Sequence, residues 1–222
     1  AFRVLRTNLE FMLDAKIENK ASVTLFTSFN PGSGKTFLTM NTAATFAMKG
    51  KRILVIDGDL RRGSASAYLG SQHKGLSDYL GKRESCLDAL VQENPDIPGF
   101  FLLPAGTIPP NPTELLAEPL FKETIEQLRG HYDYILIDCP PIDIVADTQI
   151  IEKLVDRTVV VVRAGLLERD MLSELQRMYD EKRFKNMVLL LNGTEGGGNR
   201  YGYRYGYKYG YKYGYGSKNY YK

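Results

Sequence analysis

Short apolar runs recur along this chain, and segments with apolar residues at helical spacing lie between them. The runs predict buried strands at residues 23–27, 53–56, 100–103, 134–137, 158–162 and 187–191. The helical spacing predicts helices at residues 1–16, 37–49, 64–69, 76–80, 113–129, 147–154 and 168–184, with a weaker signal at 86–91. Strands that alternate with helices are typical of an α/β fold with a mostly parallel central sheet flanked by helices.

The first strand leads into a glycine-rich loop in the sequence VTLFTSFNPGSGKT, residues 23–36. A strand, a tight turn and a helix N-terminus direct several backbone N–H groups to one point, which predicts a phosphate-binding site. Lys35 adds positive charge for the β- and γ-phosphates, and Thr36 offers a hydroxyl to Mg²⁺. Phe29 stands where the usual phosphate-loop pattern has a small residue, so only the Gly-Lys-Thr end is regular. A turn without a ligand is the alternative interpretation.

Acidic residues follow two of the predicted strands. Asp57 and Asp59 end the run ILVIDGD, and Asp138 ends the run ILID. Because the carboxyl ends of parallel strands lie at one edge of a sheet, these acids should face the same crevice as Lys35. Turn residues after a strand are the alternative for Asp57 and Asp59. Three acids and Thr36 around one lysine predict a site for a metal and a nucleoside triphosphate, with ATP and Mg²⁺ as cofactors.

Length and composition favour one domain, which we place at residues 1–198, because 222 residues with 43% hydrophobic content can bury one sizeable core. No apolar run approaches the roughly 18 residues of a membrane helix and no signal peptide opens the sequence, which predicts a soluble piece. Cys86 and Cys139 lie far apart, as expected of reduced thiols in a cytosolic setting. His73 and His131 form no cluster, so a Ser-His-Asp or Cys-His nucleophilic site has little support.

The last segment, residues 199–222, reads NRYGYRYGYKYGYKYGYGSKNYYK. It holds six of the 29 basic residues and no acid, which leaves the rest of the chain slightly acidic and argues against a nucleic-acid-binding face there. With many glycines and few aliphatic residues, its ordering would cost about 1–2 kcal/mol per residue, so we expect a flexible tail. It could bind RNA or polysaccharide, add an edge strand or accept phosphate, and the nearby nucleotide site favours the last. The acceptor candidates are Tyr201, Tyr203, Tyr205, Tyr207, Tyr209, Tyr211, Tyr213, Tyr215, Tyr220 and Tyr221.

Together these motifs resemble a known family, the bacterial tyrosine kinases that regulate capsular and extracellular polysaccharide synthesis and export. The resemblance covers almost the whole chain and rests on the sequences AFRVLRTN, TSFNPGSGKT, ILVIDGDLRR, LPAGTIPPNPTELL, ILIDCPP and VVVVRAG and on the terminal tyrosines. It implies a P-loop NTPase-like fold and an ATP-dependent protein-tyrosine kinase that phosphorylates its own tail, mainly between subunits. The sequence contains no HRD or DFG motif, so the eukaryotic kinase fold is not expected.

The resemblance also implies roles for single residues. Lys35 and Thr36 would bind the ATP phosphates and Mg²⁺, and Asp138 would bind the metal. Asp57 and Asp59 belong to an additional acidic motif of the family. We predict that Asp57 accepts the proton of the tyrosine hydroxyl and that Asp59 serves the metal. The predicted catalytic residues are Lys35, Asp57 and Asp59, and the predicted metal ligands are Thr36, Asp59 and Asp138.

The predicted nucleotide contacts lie in the phosphate loop and after the last strand. Asn192 matches the position at which related ATPases place an asparagine that contacts adenine, and a plain Asn-Gly turn is an equal alternative. The predicted contacts are Pro31, Gly32, Ser33, Gly34, Lys35, Thr36, Phe37 and Asn192.

The first helix carries two arginines, Arg3 and Arg6, one turn apart. The resemblance implies that they form the subunit contact of a ring, octamer-like when unphosphorylated, whereas a solvated helix face is the alternative. The glutamate that accompanies them in the family would precede Ala1, so we expect the sequence to be a piece of a longer protein. The implied partners are a membrane-spanning polysaccharide co-polymerase segment or activator and a cognate tyrosine phosphatase. The implied location is the cytoplasmic face of the bacterial inner membrane.

Two other functions compete with the kinase. The family resembles the ATPases that partition chromosomes and position division sites, which would act as nucleotide-dependent switches without kinase activity. Those ATPases carry an extra lysine near the start of the phosphate loop, where this chain has Phe29, Asn30 and Pro31. That difference and the tyrosine tail favour the kinase. The other competing function is a scaffold that uses nucleotide only as a switch.

Overall fold

The computed structural model describes residues 2–13, 20–70, 74–142 and 146–194. The tail at residues 199–222, with all the predicted phosphoacceptor tyrosines, lies outside the described residues. The strands are β1 (Ser22–Ser28), β2 (Ile53–Asp57), β3 (Gln92–Glu93), β4 (Phe100–Leu103), β5 (Tyr134–Asp138), β6 (Arg157–Arg163) and β7 (Val188–Asn192). The α-helices are α1 (Phe2–Leu13), α2 (Lys35–Ala47), α3 (Leu76–Leu80), α4 (Pro112–Ala117), α5 (Pro119–Arg129), α6 (Asp147–Glu152) and α7 (Met171–Asp180).

Within the described residues, all seven strands join one sheet in the order β3-β4-β2-β5-β1-β6-β7. Every pairing is parallel except that of β3 with β4. The order places β5 between β1 and β2, so the phosphate loop and the two acidic strand ends meet at the centre of one edge. The predicted α/β fold with a mostly parallel sheet is confirmed.

The central strands are apolar along nearly their whole length because helices cover both faces of the sheet. Alternate side chains of each strand enter opposite cores. One core joins β1, β2 and β5 to α5 and α6, with Leu25, Ile56, Ile137, Phe121 and Ile151 among its buried members. The other core joins the same strands and β6 to α1 and α2, with Leu9, Phe26, Phe46, Val55 and Leu136 among its buried members.

The predicted helix at 113–129 is wrong as a single element, because the structure divides it into α4 and α5. Between them Glu118 adopts an extended conformation with ψ 143°, and Pro119 begins α5. A proline has no backbone N–H to donate and restricts the residue before it to extended conformations. The helical spacing of the apolar residues continues across the break, which is why the pattern alone suggested one helix.

Smaller differences lie at the edges of the sheet. The two-residue strand β3 was not predicted, and it pairs antiparallel with β4 through Gln92 opposite Leu102. The predicted short helices at 64–69 and 86–91 are single 3₁₀ turns, Ser66–Leu69 and Asp88–Leu90. None of the described helices combines the length and the apolar character that a bilayer-spanning helix requires.

Helix α1 lies along α2 and contacts this helix and the turn that follows it at three levels. The Phe2 ring meets the Phe37 ring edge-on at 5.7 Å between centroids, and Lys49 pairs with Glu10 at 2.9 Å. Between these contacts the Arg6 guanidinium donates a hydrogen bond to the backbone oxygen of Thr45 at 3.1 Å. Arg6, one of the two predicted subunit-contact residues, is therefore engaged within its own chain, whereas Arg3 is exposed.

A nearly buried arginine fastens the carboxyl end of α5 to the base of the sheet. Arg129 is 8% exposed and forms a two-pronged ion pair with Asp156, at 2.6 and 3.1 Å. It also donates to the backbone oxygens of Ala21 and Leu154. Asp156 in turn accepts the backbone N–H of Val23 at 2.8 Å, so one pair joins α5 to the starts of β1 and β6.

We predict that Arg129→Met lowers the free energy of unfolding by about 2–4 kcal/mol, because it leaves the Asp156 carboxylate without its cation and two carbonyl oxygens without the side-chain donor. Urea unfolding followed by circular dichroism measures the change. The matched control is Arg177→Met, which breaks an exposed pair with Glu174 and should cost less than about 1 kcal/mol. Equal losses of unfolding free energy in the two variants would contradict the stabilising role assigned to the Arg129–Asp156 pair.

Candidate functional site

The phosphate loop connects β1 to α2 and depends on two glycines with left-handed backbone conformations. Gly32 has φ 78° and Gly34 has φ 91°. A Cβ atom on Gly34 would lie 2.5 Å from the side-chain nitrogen of Asn192, so no other residue fits there without displacing that side chain. Phe29, at the position where the usual pattern has a small residue, is buried against Leu175 and Met178 in a cluster under α7. The large side chain of Phe29 therefore packs in this hydrophobic cluster.

The three residues predicted to handle the phosphates and the metal lie together at the centre of the sheet edge. Thr36 donates its hydroxyl to an oxygen of Asp138 at 2.6 Å. The Lys35 ammonium lies 3.9 Å from the same oxygen and 3.4 Å from the Thr36 hydroxyl. Thr39, one turn further along α2, lies 3.5 Å from the second Asp138 oxygen. Asp138 is thus surrounded by hydroxyls and one cation.

Asp138 is fully buried, and its electrostatics follow from that position. Burial raises the pKa of its carboxyl group from the ordinary 3.8 to about 7, although the charge of Lys35 and the Thr36 hydroxyl oppose the change. The neighbouring carboxylates Asp57 and Asp59 raise it further. Partial burial and the charge of Asp138 also raise the pKa of the Tyr68 hydroxyl. Near neutral pH, in the absence of a bound cation, this carboxyl group is therefore partly protonated.

Asp57 and Asp59 differ in their surroundings, although one glycine separates them. One Asp57 oxygen accepts hydrogen bonds from both the backbone N–H and the hydroxyl of Ser66, each at 2.7 Å. The other oxygen accepts the backbone N–H of Asp59 at 3.2 Å. Burial raises the pKa of Asp57, against the effect of the Ser66 hydrogen bonds. Asp59 accepts the backbone N–H of Arg62 at 3.1 Å and contributes to the wall of the pocket in front of the phosphate loop.

That pocket has a volume of about 210 Å³ and opens between the phosphate loop and the loop after β2. Most of the predicted phosphate-site residues line it, together with three residues that the sequence patterns did not single out. The first group is Pro31, Gly32, Gly34, Lys35, Thr36, Phe37 and Asp59, and the second is Arg62, Ser64 and Pro141.

Two polar side chains from neighbouring strand ends hold the back of the phosphate loop. Arg163 donates to the backbone oxygen of Gly32, and Asn192 donates to the backbone oxygen of Ser33, each at 2.9 Å. The two residues are paired across β6 and β7. Asn192 was predicted to contact adenine, and here it contacts the loop backbone. Arg163 was missed, although it ends the run VVVVR just as the acids end theirs.

A second missed group fixes the loop after β2. The Arg61 guanidinium binds the buried carboxylate of Asp147 at 3.0 Å and the Thr113 hydroxyl at 2.9 Å. Thr113 completes the group by donating to Asp147 at 2.6 Å. The group joins this loop to the first turns of α4 and α6. Sequence reasoning missed it because its members lie 34 to 86 residues apart.

The donor set fits a nucleotide with Mg²⁺. Thr36 and Asp138 offer hard oxygen ligands within 2.6 Å of each other, which is the type of ligand that Mg²⁺ prefers beside substrate phosphates. Among the described residues no group of three or more His, Cys, Asp or Glu side chains is arranged to hold a metal ion.

Comparison with known proteins supports this assignment. The model of the AAA domain family matches residues 22–183. The putative tyrosine-protein kinase AmsA of Erwinia amylovora is 40% identical over 83% of this chain, which spans 24% of AmsA. The tyrosine-protein kinase YwqD of Bacillus subtilis is 34% identical over 87% of this chain and 80% of its own length.

Among solved structures, the kinase domain of the Escherichia coli tyrosine kinase ETK superposes with a TM-score of 0.78. It is 33% identical, and the match covers 92% of this chain and 79% of that domain. With the phosphate loop and the acidic strand ends in the arrangement described above, the chain belongs to the AAA domain family and, within it, to the bacterial tyrosine-protein kinases.

Proposed function

We propose that this chain transfers the γ-phosphoryl group of Mg·ATP to tyrosine hydroxyls in residues 199–222, mainly between copies of the chain. Through this reaction it would regulate capsular or extracellular polysaccharide synthesis and export. The observation that carries the proposal is the cluster of Lys35, Thr36 and Asp138 at the phosphate loop, in a chain related to named tyrosine-protein kinases.

Phosphoryl transfer asks mainly for positioning and charge neutralisation. The N–H groups of the phosphate loop and Lys35 would bind the phosphates, while Thr36 and Asp138 would hold Mg²⁺, which neutralises charge on the β- and γ-oxygens when bound. Arg163 and Asn192 support this arrangement from behind, because they bind the backbone oxygens of Gly32 and Ser33 and so hold the loop in position.

The acceptor tyrosine arrives protonated, since the pKa of its hydroxyl is about 10. We predicted Asp57 as the base, but Ser66 occupies one of its oxygens and Asp59 N–H the other. Asp59 contributes to the wall of the pocket and is the better candidate to orient the hydroxyl and accept its proton. In this assignment Asp57 keeps the loop after β2 in position.

Assembly would use the outer face of α1. Val4 and Phe11 are exposed there at 65% and 87%, and they lie two turns apart on the same side of the helix. Exposed apolar side chains beside Arg3 suit a contact with a second copy.

Each added phosphate brings about −1.5 to −2 charge to the tail, so phosphorylation should loosen the ring. The proposed partners are a membrane-spanning co-polymerase or activator and a tyrosine phosphatase. The proposed location is the cytoplasmic face of the inner membrane.

The second candidate function is that of an ATPase switch without kinase activity. Incubation with ATP labelled at the γ-phosphate distinguishes the two. Label in the tyrosines supports the kinase, and free phosphate without labelled protein supports the ATPase.

We predict that Lys35→Met lowers tyrosine autophosphorylation at least about 100-fold, because it removes a positive charge that faces the developing phosphoryl charge. The fold should persist, since Asp138 can take up a proton once its cationic neighbour is gone. Anti-phosphotyrosine detection and circular dichroism measure the two effects. Lys49→Met, which removes an exposed lysine paired with Glu10, is the control and should retain activity. Undiminished phosphotyrosine in Lys35→Met would defeat the assignment.

We predict that Asp138→Asn stabilises the metal-free protein more at pH 8 than at pH 5, by about 1–3 kcal/mol. The raised pKa means that the wild-type stability contributed by protonated Asp138 is complete below pH 3.8 and is lost as the pH rises through about 7. Asparagine carries no such charge. Urea unfolding in EDTA at the two pH values measures the difference, and Mg²⁺-dependent ATP binding should be lost in the same variant. A stability difference between Asp138→Asn and wild type that does not change with pH would contradict the raised pKa of the buried Asp138.

We predict that transfer occurs between chains. The test mixes a Lys35→Met chain that retains residues 199–222 with an active chain from which they are deleted. Labelled ATP should label the tail of the inactive chain, because in the proposed assembly a neighbour bound at α1 would bring its site within reach of that tail. The inactive chain alone is the control. An unlabelled tail in mixed oligomers, verified by size, would refute transfer between chains.

A further inference from the structure

Lys35 and Arg62 both line the phosphate pocket, but they enter it from different strands. Lys35 begins α2, after β1, and is drawn toward the Thr36 hydroxyl and the Asp138 carboxylate. Arg62 is exposed in the loop after β2. Because β5 separates β1 from β2 in the sheet, the two cations approach the pocket from opposite sides of Asp138.

The backbone that carries Arg62 is held firmly. Its N–H donates to a carboxylate oxygen of Asp59 at 3.1 Å and to the Asp59 backbone oxygen at 3.2 Å. The N–H of Gly63 donates to the same backbone oxygen at 2.8 Å, which closes the turn. On its other side, Arg61 is fixed by the buried Asp147. The Arg62 side chain thus extends from an anchored turn and remains available at the pocket.

The charges around the pocket call for a second cation. Asp59 lines the pocket, and the carboxyl groups of Asp57 and Asp138 lie buried behind it, beside the place of a triphosphate that is itself anionic. The start of the phosphate loop, Phe29-Asn30-Pro31, provides no lysine. A guanidinium group can bind two phosphoryl oxygens at once, and such contacts strengthen as charge accumulates in the transition state.

Arg62 also borders a second opening. A groove of about 740 Å³ runs beside the phosphate pocket, and Leu60, Gly63, Lys74, Gly106 and Ile108 are among the residues that line it with Arg62. Arg62 therefore stands where the groove meets the pocket. An acceptor side chain that followed the groove would meet the phosphate pocket at this residue.

We propose that Arg62 is a catalytic residue that binds the transferring γ-phosphoryl group on the side from which the acceptor arrives. The inference rests on the proposed function. In the step, the tyrosine oxygen forms a bond to the γ-phosphorus while the bond from that phosphorus to the bridging oxygen breaks. The electron pair leaves with ADP, and the tyrosine proton passes to Asp59. Arg62 stabilises the charge on the γ-oxygens during this exchange.

The test compares nucleotide binding with and without a mimic of the transferring group. Wild type, Arg62→Met and Arg62→Lys are titrated with Mg·ADP, and then with Mg·ADP and aluminium fluoride, which imitates the γ-phosphoryl group in flight. We expect Arg62→Met to bind Mg·ADP within about 2-fold of wild type and to lose at least about 30-fold in affinity for the fluoride complex, with Arg62→Lys between them. Autophosphorylation should fall by about 10²-fold or more in Arg62→Met.

The matched control is Arg83→Met, which removes an exposed arginine that pairs with Asp78 outside both openings and should bind both complexes like wild type. Equal affinity of Arg62→Met and wild type for the fluoride complex would overturn the inference. So would an equal loss for Mg·ADP, which indicates a structural role, or a wild-type protein that gains no affinity from fluoride. If wild-type protein binds the fluoride complex tightly but labels no tyrosine, the proposed function is refuted. The contact of Arg62 with the γ-phosphoryl group would then still stand.

Discussion

Three carboxylates lie buried beside a single lysine at the centre of the sheet edge. Their burial costs electrostatic free energy, and the contacts around them reduce that cost. The order β2-β5-β1 makes the crowding unavoidable, because it sets Asp57 and Asp138 side by side in register. Ser66 stabilises the first of these acids through two hydrogen bonds, and Thr36 and Lys35 stabilise the second. These contacts do not fully compensate burial, which keeps the Asp138 pKa near 7. A site that lowers stability in the absence of ligand is typical of one shaped for a bound cation.

The phosphate loop depends on the same edge from its other side. Arg163 and Asn192 donate hydrogen bonds to the backbone oxygens of Gly32 and Ser33 and so hold the backbone of the loop in position. Both belong to the outer strands β6 and β7, so strands that carry no acid still shape the site. The geometry of this edge is therefore set by five strand ends of one sheet, those of β1, β2, β5, β6 and β7, and such edges are where the doubly wound architecture binds ligands.

Patterns along the chain predicted the six principal strands, the phosphate loop and the acids at the carboxyl ends of β2 and β5, because each is encoded by neighbouring residues. Pro119 also indicates the break between α4 and α5, but the apolar spacing continues across it and favoured the prediction of a single helix. Other features depend on contacts between distant segments. The burial of Phe29 under α7, the pairing of β3 with β4 and the contact of Asn192 with the loop follow from tertiary packing and left no local signal.

The consecutive residues Arg61 and Arg62 show how far tertiary context decides a role. Both follow the same acidic motif, and composition cannot separate them. Asp147 is buried and needs a cation, since an unpaired carboxylate there would cost several kcal/mol. Arg61 supplies that cation and in doing so pins the turn to α4 and α6. Because a turn directs successive side chains apart, Arg61 pairs with the buried Asp147 while Arg62 lines the pocket in front of the phosphate loop.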